Sequence, residues 1–340
     1  MIGSPFSHSP DASVSRIMLT LLAALLPAVA LHAVLFGPGI FISLILCSVF
    51  GLALEVLMLN LRGFPAQPFL RDGSVLVTAW LIAMALPTLL PWWVYLVGMG
   101  VAVIAGKHLY GGLGQNLFNP AMLGFTVLLV SFPTLLSTWP AASLLAAHTP
   151  SLTESLQLVF QGASSISLDA YTMATPLDNL KVNLRAGLTI QQGWWPTIGA
   201  REWVALGYLA GGLMLIALRI ITWHIPVAFL AGITLTALIL KLIDPAHQAG
   251  PFFHLIAGGS MLGAFFFATD PVTAATTPIG KLIFGALAGV IAVFIRAFGS
   301  YPDGIGFAIL LMNAAAPLID AYTQPKVLGH TRRRRPGASE

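Results

Sequence analysis

Apolar residues run along this chain in long blocks, and the polar positions gather at the block edges. A bilayer core about 30 Å thick takes roughly 20 apolar residues of helix, and broken or re-entrant segments need fewer. That ruler predicts ten transmembrane helices, over residues 17–36, 40–60, 74–90, 92–105, 117–132, 203–220, 223–242, 252–268, 282–298 and 304–321. The third and fourth, and the eighth and ninth, form pairs with short or Gly/Pro-interrupted members. The resulting layout is a cytoplasmic N-terminal segment 1–15, a five-helix unit 16–133, an outer loop 134–201, a second five-helix unit 202–323 and a basic tail 324–340. Arg16 before an apolar run and Ala28-Val29-Ala30 resemble a signal peptide with its cleavage site. The run continues to Phe36 and a second helix follows at once, which favours an uncleaved anchor.

Composition agrees with lipid as the solvent: 57% of the 340 residues are hydrophobic and 8% charged, far from the balance of a soluble chain. The net charge of +4 does not mark a nucleic-acid surface, because the basic residues are scattered at block ends and four form the Arg332 to Arg335 run. With the N-terminus in the cytoplasm, Arg16, Arg62, Arg71, Lys107, Arg219, Lys281, Lys326 and that run fall inside, and Lys181, Arg185, Arg201, Lys241 and Arg296 outside. This asymmetry follows the positive-inside rule, so both termini are expected in the cytoplasm and the 134–201 loop on the periplasmic side of a bacterial inner membrane. The single cysteine, Cys47, lies in an apolar run, which excludes an intrachain disulfide and a protein-only iron–sulfur or Cys-zinc site.

Two segments echo each other. Asp72-Gly73-Ser74-Val75-Leu76 opens the third predicted helix and Gly258-Gly259-Ser260-Met261-Leu262 opens the eighth. Two five-helix halves would be inverted relative to each other, since five is odd, and such folds place irregular half-helix sites near the membrane midplane.

Three polar clusters interrupt the apolar background. In the first, KHLYGGLGQNLFNPAMLG, the glycines permit close ligand approach, and the amides of Asn116 and Asn119 suit a polar ring or a ribityl chain. A turn with Asn119-Pro120 starting a helix accounts for it equally well. In the second, FFFATDPVTAATTP, Thr269 and Asp270 are expected on the same cytoplasmic side as the two asparagines, as one composite pocket or as a helix cap. The third, SISLDAYTMATPLDNLK in the outer loop, carries Asp169, Thr172 and Thr175, an acid followed by two threonines close to the membrane. A plain hydroxyl-rich loop needs no function, but such a hydroxyl can be esterified by a phosphate-bearing group.

PFLRDGSVLVTAW, GGLGQNLFNPAM, DAYTMATPL, GGSMLGAFFFATDPVTA and SYPDGIGFAILLMNAAAPLID, in this order, resemble the NqrB/RnfD family, whose members belong to the Rnf electron transport complexes and to the sodium-pumping NADH:quinone oxidoreductase. The fold expected from the helix pattern is an all-α polytopic membrane protein of two inverted five-helix repeats, which urea-transporter-like folds resemble. The resemblance implies FMN joined through its phosphate to a threonine by a flavin transferase; the matching acceptor is Thr175, with Asp169, Thr172 and Ala174 in the attachment motif and Met173 departing from the usual small residue. It further implies a noncovalent riboflavin, for which Asn116, Asn119, Thr269 and Asp270 are the candidates. Its partners would be RnfG at the outer face, RnfC on the cytoplasmic side, and the lipid bilayer, in a complex moving electrons between ferredoxin and NAD with sodium or proton translocation. Redox chemistry in this chain would be carried by bound cofactors.

Glu55 is the one acid squarely inside an apolar run, and an ion path or a structural or interfacial role is open to it. The rival class is a small-solute channel or carrier without flavin, in which DAYTMAT is an unmodified loop. A third reading is an assembly scaffold in which Met173 blocks attachment.

Overall fold

The computed structural model describes residues 14–142, 149–162, 171–190 and 200–324. Asp169, Lys326 and Arg332 to Arg335 lie outside the described residues, as do most of the N-terminal segment and nearly all of the basic tail. The first half comprises α1 (Val14–Phe36), α2 (Gly39–Leu61), the short α3 (Ala66–Arg71), α4 (Ser74–Ala85), α5 (Trp92–Gly100), which continues as π-helix over Val101–His108, and α6 (Pro120–Ser131). Short elements follow in the outer loop: α7 (Pro133–Leu136), β1 (Trp139–Pro140), α8 (Leu152–Gln161), β2 (Thr172–Met173) and α9 (Pro176–Arg185). The second half contains α10 (Ala200–Ala217), α11 (His224–Ile243), α12 (Pro251–Ile256), α13 (Ser260–Leu262) running into a π-turn over Gly263–Phe267, α14 (Pro278–Phe298) and α15 (Ile305–Thr323).

Helix occupies each of the ten predicted positions, but among the described residues six helices, α1, α2, α10, α11, α14 and α15, are long and apolar enough to cross a membrane. The shorter ones have local causes. Leu86 precedes Pro87, whose ring disfavours helical backbone at the residue before it, and α4 stops there with Leu86 extended. Asn119 caps α6 by accepting from the Met122 amide at 3.1 Å, with Pro120 at the first helical position, so the fifth helix starts later than residue 117. The eighth predicted helix breaks between α12 and α13, where Ala257 is extended and Gly258 has φ +64°.

Large apolar side chains remain exposed around the bundle, among them Leu61, Leu242, Ile243 and Leu318, as expected of surfaces that face lipid. Helices approach through small residues: on α10, Gly207 faces the Ala28 backbone of α1, and on α14, Gly285 faces the Ile225 carbonyl of α11. The α1–α10 contact and the packing of α6 on α15 join the two halves.

The Gly–Ser openings of the echoed segments share local chemistry. Gly73 has φ +77° before buried Ser74, whose hydroxyl accepts from Lys107 at 3.1 Å. Gly258 lies two residues before buried Ser260, whose hydroxyl donates to the His254 carbonyl, an oxygen also bonded by Arg296 at 2.8 Å. In each half, then, a basic side chain late in the sequence of that half fixes a left-handed glycine break. A methyl group at residue 258 would stand 2.5 Å from Asp303 Oδ2 and 2.7 Å from Leu177 Cδ1, whereas at residue 259 the nearest atom is 3.6 Å away. Gly258→Ala is therefore expected to cost at least about 1–2 kcal/mol through backbone handedness alone, and Gly259→Ala to be far milder. Thermal unfolding of the detergent-purified variants checks this; equal losses would refute it.

Candidate functional site

A cavity of about 150 Å³ lies where the two halves meet. Its apolar walls come from α4 (Met84), α6 (Met122, Phe125, Leu129), the α13 region (Leu262, Phe267) and α15 (Ile305), and its polar groups are His32, Thr175, Asp178, Arg201, Glu202, Tyr208 and Asp303. The residues Gly258 and Gly259 of the chain break also line it.

Thr175 is placed there by α9, for which it is the N-cap. Its Oγ1 donates to Asp178 Oδ2 at 2.6 Å and accepts from the Asp178 amide at 3.1 Å, while its own amide donates to Asp178 Oδ2 at 3.3 Å. This reciprocal capping box satisfies backbone donors of the first turn, and Pro176 presets it. Helix α9 is docked onto the second half by buried Leu177, which packs with Ala249, Phe253 and Ala257. Its Lys181 Nζ donates to the Gly299 carbonyl at 2.6 Å and to that of Tyr301, just beyond the end of α14, where a cation is favoured by the helix dipole. Burial, and next the neighbouring Arg185, lowers the Lys181 ammonium to about 8. Upstream, Thr172 and Met173 form β2, which pairs antiparallel with β1 (Trp139↔Met173, Pro140↔Thr172); Ala174 and Met173 are exposed.

The residues present fit a phosphate-linked ring ligand. Thr175 lines a cavity whose apolar walls suit a planar aromatic, and the buried His32 Nδ1 in the same wall has no partner among the described residues.

The composite pocket expected from the first two clusters is only partly assembled. Buried Asn119 donates from Nδ2 to the Phe267 carbonyl at 3.3 Å, and its amide donates to Asn313 Oδ1 at 3.1 Å; Asn313 Nδ2 in turn donates to the Thr273 carbonyl at 3.1 Å. Asn119 is thereby tied to the 267–273 segment across the two halves, through Phe267, which also lines the cavity. Asn116 donates locally to the Phe118 carbonyl at 3.1 Å, and its buried Oδ1 is unpartnered among the described residues. Thr269 bonds back to the Phe265 carbonyl at 2.6 Å, and Asp270 closes its own turn by accepting from the Val272 amide at 3.2 Å and Thr273 Oγ1 at 3.0 Å. Burial raises the Asp270 carboxyl, and those two hydrogen bonds oppose the rise.

Glu55 is fully buried, with Lys107 Nζ at 2.7 Å and His108 Nε2 at 3.1 Å from its two oxygens; Arg62 reaches His108 Nδ1 at 3.1 Å. This pairing explains how an acid is tolerated in an apolar run. Sequence reading missed His32, Arg201, Tyr208 and Asp303 as cavity residues. The adjacent charges Arg201-Glu202 at the head of an apolar block were the available signal.

A profile of the NQR2, RnfD, RnfE family matches residues 1–329. The chain is 44% identical to the D component of the ion-translocating oxidoreductase complex of Escherichia fergusonii, an alignment covering 96% of this chain and 97% of that protein. It is also 44% identical, over the same shares, to the proteins of that name from Salmonella paratyphi B and Salmonella typhi. With six helices suited to crossing a membrane and these relatives, the chain is a multi-pass membrane protein.

Proposed function

The chain belongs to the NQR2, RnfD, RnfE family, and on that premise we propose that it is the flavin-carrying membrane subunit of an Rnf-type complex. In this reading FMN is esterified through its phosphate to Thr175 by a flavin transferase. The observation that carries it is that Thr175 lines a cavity walled by apolar side chains of both halves, at the start of a helix docked by Leu177 and Lys181. When bound, a flavin supplies one-electron transfer, which the protein side chains cannot. The residues of this chain do the rest. Asp178 holds the Thr175 hydroxyl by its proton and orients the acceptor oxygen. Met84, Met122, Phe125 and Phe267 exclude water around the ring site, and the Asn119–Asn313 amides fix the segment beneath Phe267. The Asn116 Oδ1, without a partner among the described residues, supports a riboflavin held near Asn116, Asn119, Thr269 and Asp270.

The wider reading has ten membrane-crossing segments in two inverted five-helix repeats, supported by helix at every predicted position and by the matching Gly–Ser breaks. Electrons would be exchanged with RnfG at the periplasmic face of the inner membrane, with RnfC as the partner on the cytoplasmic side, in a complex working between ferredoxin and NAD with sodium or proton translocation. Both termini are cytoplasmic in this reading. The test is co-expression of the full chain with a flavin transferase, followed by a denaturing gel read for flavin fluorescence and by chromatography of released flavins. A fluorescent band with riboflavin in the released fraction is expected. A dark band beside a fluorescent control substrate would defeat the proposal and leave the solute-channel or scaffold reading.

A further inference from the structure

Arg201 opens α10 and lines the same cavity as Thr175 and Asp178. Its guanidinium lies 4.3 Å from the Trp139 ring centroid and 5.4 Å from that of Phe36, a bracket that fixes the plane of its donors. Among the described residues no carboxylate comes within 4.0 Å of it and no hydrogen bond takes its N–H groups. A guanidinium carries five donors, and one held off water by two rings leaves a fork open to an anion. The neighbouring His32 Nδ1, also in the cavity wall and without a partner among the described residues, is a second polar position left for a ligand.

Two features tie this open cation to the acceptor. Trp139, which brackets Arg201, is paired across β1–β2 with Met173, so the strand leading to Thr175 also sets the ring that places the guanidinium. Asp178 accepts the Thr175 hydroxyl proton at 2.6 Å. A phosphate ester on Thr175 removes that proton and sets a phosphodiester anion beside the Asp178 carboxylate, a like-charge contact that needs a cation. The bidentate match between guanidinium and phosphate is the strong form of such a contact.

We propose that Arg201 is the counter-ion for the phosphate of the flavin carried at Thr175; this rests on the flavin reading above. Arg201 is here a binding and positioning residue, with no part in electron transfer. It also confers a preference that the rest of the cavity lacks, for a phosphorylated flavin over the dephosphorylated one.

The test separates noncovalent recognition from attachment. Full-length Thr175→Ala protein, which cannot form the ester, is titrated in detergent with free FMN and with riboflavin, and flavin fluorescence is followed. Adding Arg201→Gln is expected to weaken FMN by about tenfold or more, the scale of one lost charge-assisted contact, and riboflavin by less than about twofold. Adding Arg201→Lys instead should restore most of the FMN preference. Riboflavin, which also has the separate site proposed near Asn116 and Asn119, serves as the control for global folding. An FMN-to-riboflavin affinity ratio that Arg201→Gln leaves unchanged overturns the proposal, whether both affinities persist or both fall. A Thr175→Ala protein that binds neither flavin, together with a dark wild-type band on the gel, would sink the flavin reading itself and this inference with it.

Discussion

If Thr175 is the flavin acceptor we propose, Thr175→Ala is expected to turn a fluorescent band on a denaturing gel fully dark, because it removes the hydroxyl of a cavity-lining residue to which the ester would be joined. Thr172 is the other hydroxyl of the motif, but it belongs to β2 and is not among the cavity-lining residues. The alanine variant also loses the N-cap of α9, worth about 0.5–2 kcal/mol, which by itself can loosen the helix. Thr175→Asn separates the two roles: asparagine caps as well as threonine but offers no hydroxyl. A dark band for both variants, with Thr175→Asn keeping the wild-type melting temperature, assigns the loss to the acceptor oxygen. Fluorescence surviving in Thr175→Asn would move attachment to another residue.

Arg296→Met should produce the largest loss of stability. Arg296 is buried and donates to Asp303 Oδ1 at 3.0 and 3.1 Å, to the His254 carbonyl at 2.8 Å and to the Ala257 carbonyl at 3.3 Å. Asp303 in turn accepts from the Gly259 amide at 2.8 Å, so one ion pair holds both sides of the break that lines the cavity. Removing one partner of a buried pair costs about 3–5 kcal/mol, and because the Asp303 side chain is 24% exposed the lower end applies. Asp303→Asn, which keeps an acceptor for the Gly259 amide, should cost less. Thermal unfolding and size-exclusion profiles in detergent measure both; a methionine variant melting with the wild type would show that the break is held by packing alone. Because Gly258 and Gly259 line the site, flavin attachment in Arg296→Met should fall in parallel with stability.

The Asn119-Pro120 helix start and the Gly258-Gly259-Ser260 interruption were readable because capping and left-handed backbone depend on side chains within a few positions. Thr175 was singled out by a local string and stands in the cavity wall. The composite pocket was less accessible: Asn119 does reach the segment after Phe267, but Thr269 and Asp270 spend their hydrogen bonds on their own turn. A turn closed two or three residues away and a ligand contact use the same residue types, so the string does not distinguish them. Glu55 looked like a lone acid because Lys107, its ion-pair partner at 2.7 Å, is 52 positions away.

The sequence by itself determined the membrane solvent, the positions of the helical segments and the breaks in them, since each follows from apolar length or from neighbours along the chain. Only the tertiary structure decided that Arg201, His32 and Asp303 share a cavity with Thr175, that Lys107 neutralises Glu55, and that Arg296 closes the Gly258 break. Those pairings join residues distant in sequence, and charge and hydrogen-bond satisfaction across a low-dielectric interior is settled by how helices pack, which apolar periodicity leaves open.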